Sequence, residues 1–122
     1  MAYRAVLIDD NKNTVLSLEY SIEWEKLGIE LVGTAYDGRN GKELIERADP
    51  DIIISDINMP YMDGFSMVEA SGKTEDRIMI VITGYDKFQY ASRAIKLAVF
   101  DYILKPIDDE ELNDTLKRAV RK

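Results

Sequence analysis

Four short stretches carry the side chains of this sequence that could do chemistry: "LIDD" at 7–10, "SDIN" at 55–58, "ITG" at 82–84 and "LKP" at 104–106. In each, an apolar run stops at a polar side chain: Asp9 and Asp10, Asp56, Thr83, and Lys105. The chain has no histidine and no cysteine, which removes the commonest general base and metal ligand together with thiol nucleophiles, zinc-thiolate sites and disulfides. Any reaction must therefore rest on carboxylates, hydroxyls, lysine or backbone. If the runs ending in Asp9-Asp10 and Asp56 lie on neighbouring strands, about 4.8 Å apart, three carboxylates meet in one pocket. Unopposed, they repel one another and resist ionisation, so the arrangement invites a divalent cation and a positive side chain. Carboxylate oxygens with retained waters suit Mg²⁺, which typically takes one or two protein acids and leaves room for a phosphate oxygen. Lys105 supplies the second positive charge. A carboxylate is a weak nucleophile, yet it forms an aspartyl phosphate when the phosphoryl oxygens are neutralised and attack is in line.

The elements that must position these groups are read from apolar periodicity. Short β-branched runs recur at 5–8, 30–34, 52–55, 78–82 and 102–104. Between them lie helical patterns: Val15, Leu18 and Ile22 share one face, with Trp24 and Leu27 extending it; so do Gly41, Leu44, Ile45 and Ala48, then Phe88, Ala91, Ile95 and Ala98, and finally Leu112, Leu116, Ala119 and Val120. Asp86 with Gln89 and Asp108 with Glu111 have capping-box spacing, and Gly72 can end a helix over roughly 64–71. Tyr85, Phe88 and Tyr90 read as surface and packing residues of the fourth helix. Five strands and five helices in strict alternation, the strands apolar on both faces, make a parallel sheet covered on both sides. All strands then point one way, and their carboxyl ends share the edge where open α/β sheets bind ligands.

Composition bounds the rest. At 122 residues and 46% hydrophobic content, residues 1–122 form one domain with its own core. The net charge is −7, with Lys and Arg scattered singly until "KRAVRK" at the end, so direct nucleic-acid binding by this chain is not expected. The first residues reach two acids before a signal peptide could form, and no run approaches membrane-spanning length. A cytoplasmic protein without a membrane partner is the expectation.

"LIDDN", "SDINMPYMDG", "VITG" and "DYILKP", in this order and spacing, resemble the receiver domain of two-component response regulators, over essentially the whole chain. The resemblance implies a doubly wound, flavodoxin-like (βα)5 fold with strand order 2-1-3-4-5. It implies that Asp56 accepts a phosphoryl group, that Asp9, Asp10, Asp56 and the backbone carbonyl of Asn58 hold Mg²⁺, with Mn²⁺ as a substitute, and that Thr83 and Lys105 contact the phosphoryl group. Tyr102 would be the aromatic that moves inward when Thr83 is drawn to the site. Pro106 matches a proline whose cis bond helps aim Lys105. Asn58 and Tyr85 stand where this family tunes phosphate lifetime. With no histidine in the chain, the donor is a separate sensor histidine kinase or phosphotransfer protein, and small acyl phosphates could replace it in vitro. The readout falls on the fourth helix, fifth strand and fifth helix, with a phosphorylation-dependent homodimer among its outcomes. "WEKLGIELVGTAYDGRNG" and "GYDKFQYASRAIKLAVFDYILKP" look closest to receivers joined to arabinose-regulator-type helix-turn-helix DNA-binding domains, which would control transcription; no such domain lies within residues 1–122, so the chain is either the receiver part of such a regulator or a stand-alone one.

Each residue has a plainer reading. Asp10 alone could cap the first helix. Thr83 alone is a strand-end hydroxyl, Lys105 a snorkelling surface lysine and Tyr102 a core aromatic. Asp56, Thr83, Lys105 and Asp108-Asp109 also occur in the order used by haloacid-dehalogenase-type phosphatases, but those carry an acid two residues after the nucleophile, where this chain has Asn58. A receiver-shaped interaction module that takes no phosphate is the third reading. Gly72-Lys73-Thr74 is excluded as a phosphate-binding loop because position 67 is Met67.

Overall fold

The computed structural model describes residues 2–84 and 87–121, with only the backbone of residues 87–89. The cap expected at Asp86 with Gln89, the side chain of Phe88 and the position of Tyr85 lie outside the described residues. The elements run β1 (Tyr3–Ile8), α1 (Lys12–Ser21), a one-turn α2 (Trp24–Leu27), β2 (Ile29–Ala35), α3 (Gly38–Ala48), β3 (Ile52–Ser55), α4 (Gly64–Ser71), a 3₁₀ turn (Thr74–Asp76), β4 (Ile78–Thr83), α5 (Lys87–Lys96), β5 (Asp101–Leu104) and α6 (Asp109–Val120). All strand pairs are parallel and the sheet order is β2-β1-β3-β4-β5, as the resemblance implies.

The sheet divides the core by strand parity, because successive side chains point to opposite faces. Ala5, Leu7, Ile52, Ile54, Ile80 and Ile82 pack with Val15, Leu18, Leu112 and Leu116 of α1 and α6. Val6, Ile8, Ile53 and Val81 pack on the other side with Leu44, Ile45, Phe65 and Met67 of α3 and α4, with Tyr90 and Ala94 of α5, and with Leu97 in the turn after it. Ile52, Ile53 and Ile54 are wholly buried, and each contributes about 1.5–3 kcal/mol of hydrophobic stabilisation, so β3 is the anchor from which Asp56 projects.

Two local expectations need correction, and one plainer alternative falls away. The first helix stops at Ser21, and Trp24 and Leu27 sit on the separate turn α2, closed by Gly28 at φ 72°. Asn113 of α6 causes the break: its Nδ2 donates to the Ser21 carbonyl at 3.0 Å and its Oδ1 accepts from the Glu23 amide at 2.9 Å, replacing bonds a continuing helix would have made. The α1 cap is Asn11, whose side chain accepts from the Asn13 and Thr14 amides, so Asp10 is free of that task. On α5 the period is right and the face is not: Ala91, Ile95 and Ala98 are exposed, Ile95 by 78%, while Tyr90, Ala94 and Leu97 face the core. Tyr90, read as surface and packing, and Arg93, to which the sequence drew no attention, anchor the helix. Asp108 caps α6 and Gly72 closes α4 at φ 72°, both as expected.

Candidate functional site

β1 and β3 are neighbours with Ile8 opposite Ser55, so Asp9 and Asp56 leave the sheet side by side. Asp9 donates its amide to the Ala35 carbonyl at 3.1 Å, and Asp56 donates its own to the Ile8 carbonyl at 3.0 Å, which extends the ladder one residue and fixes both backbones. The carboxylates of Asp9, Asp10 and Asp56 each offer an oxygen within 4.8 Å of the others. Asp9 is 1% and Asp56 7% exposed, whereas Asp10 is open to solvent.

Lys105 reaches this pocket from the end of β5. Its Nζ donates to Asp9 Oδ2 at 2.9 Å and to Asp56 Oδ2 at 3.0 Å. The remaining oxygens are held by backbone: Asp9 Oδ1 accepts from the Asn11 amide at 2.9 Å and Asp56 Oδ1 from the Ile57 amide at 2.6 Å. Lys105 is itself placed by its backbone amide, which donates a hydrogen bond to the Thr83 carbonyl at 2.8 Å, and it precedes a cis peptide to Pro106. Thr83 is buried at the end of β4, opposite Leu104. Burial pushes the Asp9 carboxyl above its usual range, against the Asn11 and Lys105 hydrogen bonds that favour its charged form. Burial acts to lower the Lys105 ammonium, but its bonds to Asp9 and Asp56 outweigh that and leave it raised.

Among the described residues three carboxylates thus face one ammonium, which leaves an excess of negative charge when all are ionised. Hard oxygen donors at this spacing fit a small divalent cation such as Mg²⁺, with Asp10 at the open side where retained water has access.

The other expected residues are placed as follows. Asn58 is exposed in the loop after Asp56, and its Nδ2 donates to the Tyr90 hydroxyl at 3.1 Å. Tyr102 is half-buried on β5 and packs against the core on the α3, α4 and α5 side. Gly64 was read only as a helix start, but its amide donates to the Ile57 carbonyl at 2.8 Å, and a Cβ there would run into the Asp56 carbonyl oxygen. The close return of the chain to Asp56 therefore requires glycine. Arg93 was missed altogether. Its guanidinium donates to both oxygens of Asp63, the α4 cap, at 2.9 and 3.2 Å and to Ser66 Oγ at 3.0 Å, and stacks 5.0 Å from the Phe65 ring centroid.

The family model described as "Response regulator receiver domain" matches residues 5–117. This chain belongs to that family. The receiver is 37% identical to the REC domain of AraT, a response regulator from Geobacillus stearothermophilus, with a TM-score of 0.91 over 99% of this chain and 95% of that one. It is 32% identical, with a TM-score of 0.88, to a two component transcriptional regulator AraC from Clostridium phytofermentans, over 98% and 94% of the two chains. Among curated proteins it is 33% identical to the uncharacterized transcriptional regulatory protein YesN of Bacillus subtilis, across 97% of this chain and 32% of that protein. It is 31% identical to the transcriptional regulatory protein HptR of Staphylococcus aureus, across 98% and 47%. The receiver spans about a third to a half of the length of these curated relatives. Among the described residues no helix is long and apolar enough to cross a membrane.

Proposed function

We propose that this receiver is a phosphoacceptor switch in which Asp56 takes a phosphoryl group from a partner histidine kinase or phosphotransfer protein. The observation that carries this reading is the convergence of Asp9, Asp10 and Asp56 within 4.8 Å, bridged by Lys105. Asp9, Asp10, Asp56 and the Asn58 backbone carbonyl are the ligands for Mg²⁺, with Mn²⁺ able to replace it; the bound ion supplies charge neutralisation for the transferring group. Burial on β3, with Oδ1 held by the Ile57 amide, presents the Asp56 carboxylate in one orientation. An oxygen–phosphorus bond forms at Asp56 while the donor's phosphorus–nitrogen bond breaks, its electron pair leaving with the imidazole. With acetyl phosphate the breaking bond is phosphorus–oxygen and acetate leaves. The reaction stops at one phosphate per chain, so this is not a turnover enzyme.

The new phosphoryl oxygens draw the Thr83 hydroxyl and Lys105. Charge-assisted hydrogen bonds contribute roughly 1.5–3 kcal/mol each, and moving a population from 1:99 to 99:1 takes about 5.5 kcal/mol. Two such contacts together with burial of Tyr102 reach that scale, and the readout surface of this switch is α5, β5 and α6, the elements that adjoin Thr83, Lys105 and Tyr102. That surface exposes the apolar side chains Ala91, Ile95 and Leu104, which suit a phosphorylation-dependent homodimer. Asn58 and Tyr85 tune how long the phosphate survives. The names of the relatives support a DNA-binding domain after residue 122 and a transcriptional output in the cytoplasm, with residues 1–122 as the receiver unit.

A dehalogenase-type phosphatase is disfavoured because Asp108 caps α6 through the Glu110 and Glu111 amides and Asn58 cannot donate a proton as an acid would. Incubation with acetyl phosphate and Mg²⁺ tests the choice. The switch predicts at most one alkali-labile phosphate per chain and no catalytic release from p-nitrophenyl phosphate; multiple turnovers of that ester would contradict it.

A further inference from the structure

The segment 58–63, which follows the phosphoacceptor, is gripped at both ends by α5. At its start the Asn58 Nδ2 donates to the Tyr90 hydroxyl at 3.1 Å. At its end Asp63 accepts two bonds from Arg93, at 2.9 and 3.2 Å. Tyr90 and Arg93 are three residues apart on one helix, so they project from the same face and move together. Both also rest on Phe65: the Tyr90 ring centroid lies 5.9 Å from it with the planes tilted by 51°, and the Arg93 guanidinium lies 5.0 Å away. Phe65 is wholly buried, so this footing does not shift easily.

We propose that Tyr90 is a positioning residue for the metal and phosphoryl site, holding Asn58 so that its backbone carbonyl stays directed for ligation, and that the same contact passes the state of the site to α5. The proposal rests on the phosphoacceptor reading above, in which the Asn58 carbonyl is a metal ligand. It adds a second line of communication beside Thr83 and Tyr102. The Thr83 line runs through the end of β4, whereas this one runs from the residue two beyond Asp56 straight across to the middle of α5. Arg93 backs it by tethering Asp63, the residue that caps α4, so the segment cannot swing freely about one fixed end. By linkage, a contact that helps the site bind an ion must itself be altered or reinforced when the ion binds. α5 should therefore report metal occupancy even before any phosphate is transferred.

The test compares wild type with Tyr90→Phe, which removes the hydroxyl and keeps the ring on Phe65. Mg²⁺ affinity is measured by isothermal titration, and hydrogen exchange of the α5 amides is followed with and without Mg²⁺. Tyr90→Phe should weaken Mg²⁺ binding about fivefold, the effect of losing one modest hydrogen bond, and should abolish the Mg²⁺-dependent change in α5 exchange seen in wild type. A merely structural role would change basal exchange and leave that metal response intact. Asn58→Ala, at an exposed position, should reproduce both losses, and the double variant should be no worse than either single one. Wild-type affinity and wild-type α5 response in Tyr90→Phe, in a protein that binds Mg²⁺, would overturn the relay alone. A wild type that binds no Mg²⁺ would overturn the metal reading from which the relay follows.

Discussion

At the scale of single residues, the pocket is an electrostatic compromise. Asp9 and Asp56 are buried and share Lys105, while Asp10 stands at the open side within 4.8 Å of both with no part in the α1 cap. Its charge therefore opposes folding in the metal-free protein and favours the cation. Asp10→Asn should raise metal-free stability by about 1 kcal/mol, read as a rise of several degrees in the unfolding midpoint. The same substitution should weaken Mg²⁺ binding at least ~10-fold, because a charged ligand is lost. A variant that is less stable yet binds Mg²⁺ normally would show that Asp10 has a structural task instead. Asp56, Thr83 and Lys105 were legible at this scale because each is the polar stop of an apolar run, and parallel strands bring such stops to one edge. Gly64 was not: nothing in "MDGF" says that the chain must return to within contact of the Asp56 carbonyl.

At the scale of elements, charged pairs fasten α5 and α6 to the rest. Burial acts to raise the Asp63 and Asp101 carboxyls, but hydrogen bonds outweigh it, from Arg93 and the Ser66 amide in one case and from Arg118 and the Tyr102 amide in the other. Both end below their usual range. A carboxyl with a lowered folded pKa stabilises the fold above its unfolded value, near 3.9, and loses that contribution as pH falls through the folded value. Asp9, raised by burial, has the opposite sign in the metal-free protein: its contribution weakens as pH rises through its folded value. Asp63→Asn keeps a capping side chain and removes only the charge, so it should cost about 1 kcal/mol at neutral pH. The gap from wild type, followed by urea unfolding, should close as the pH drops below about 4. A gap that does not narrow at all between pH 5 and pH 2 would mean that the Arg93 pair is not its source. The elements themselves were read well wherever local pattern decides them, as at Gly72 and Asp108. The failures share one cause. Asn113 breaks the first helix across 90 residues of sequence, and Asn58 meets Tyr90 across 32, so the rotation of α5 and the end of α1 depend on contacts that no local window contains.

At the scale of the whole molecule, β3 lies at the centre of the sheet with both neighbours paired, and the two cores press on it from opposite faces. Asp56 therefore sits at the end of the central strand of the fold, while the proposed readout surface on α5, β5 and α6 lies towards the β5 edge. On the proposed reading, a change at the centre would reach that edge through Thr83 on β4 and through the segment 58–63 on α5. The apolar side chains exposed there, Ile95 above all, are what the proposed switch would offer to a partner. The order of the strands was legible only through resemblance, since alternation of strands and helices is compatible with other doubly wound orders. The whole account depends on Asp56 being the group that takes the phosphate. Intact mass of wild type and Asp56→Asn after exposure to acetyl phosphate and Mg²⁺ tests this most directly: a gain of one phosphoryl group, about 80 Da, should appear in wild type and be absent from the variant. The same gain in both would contradict the assignment of Asp56.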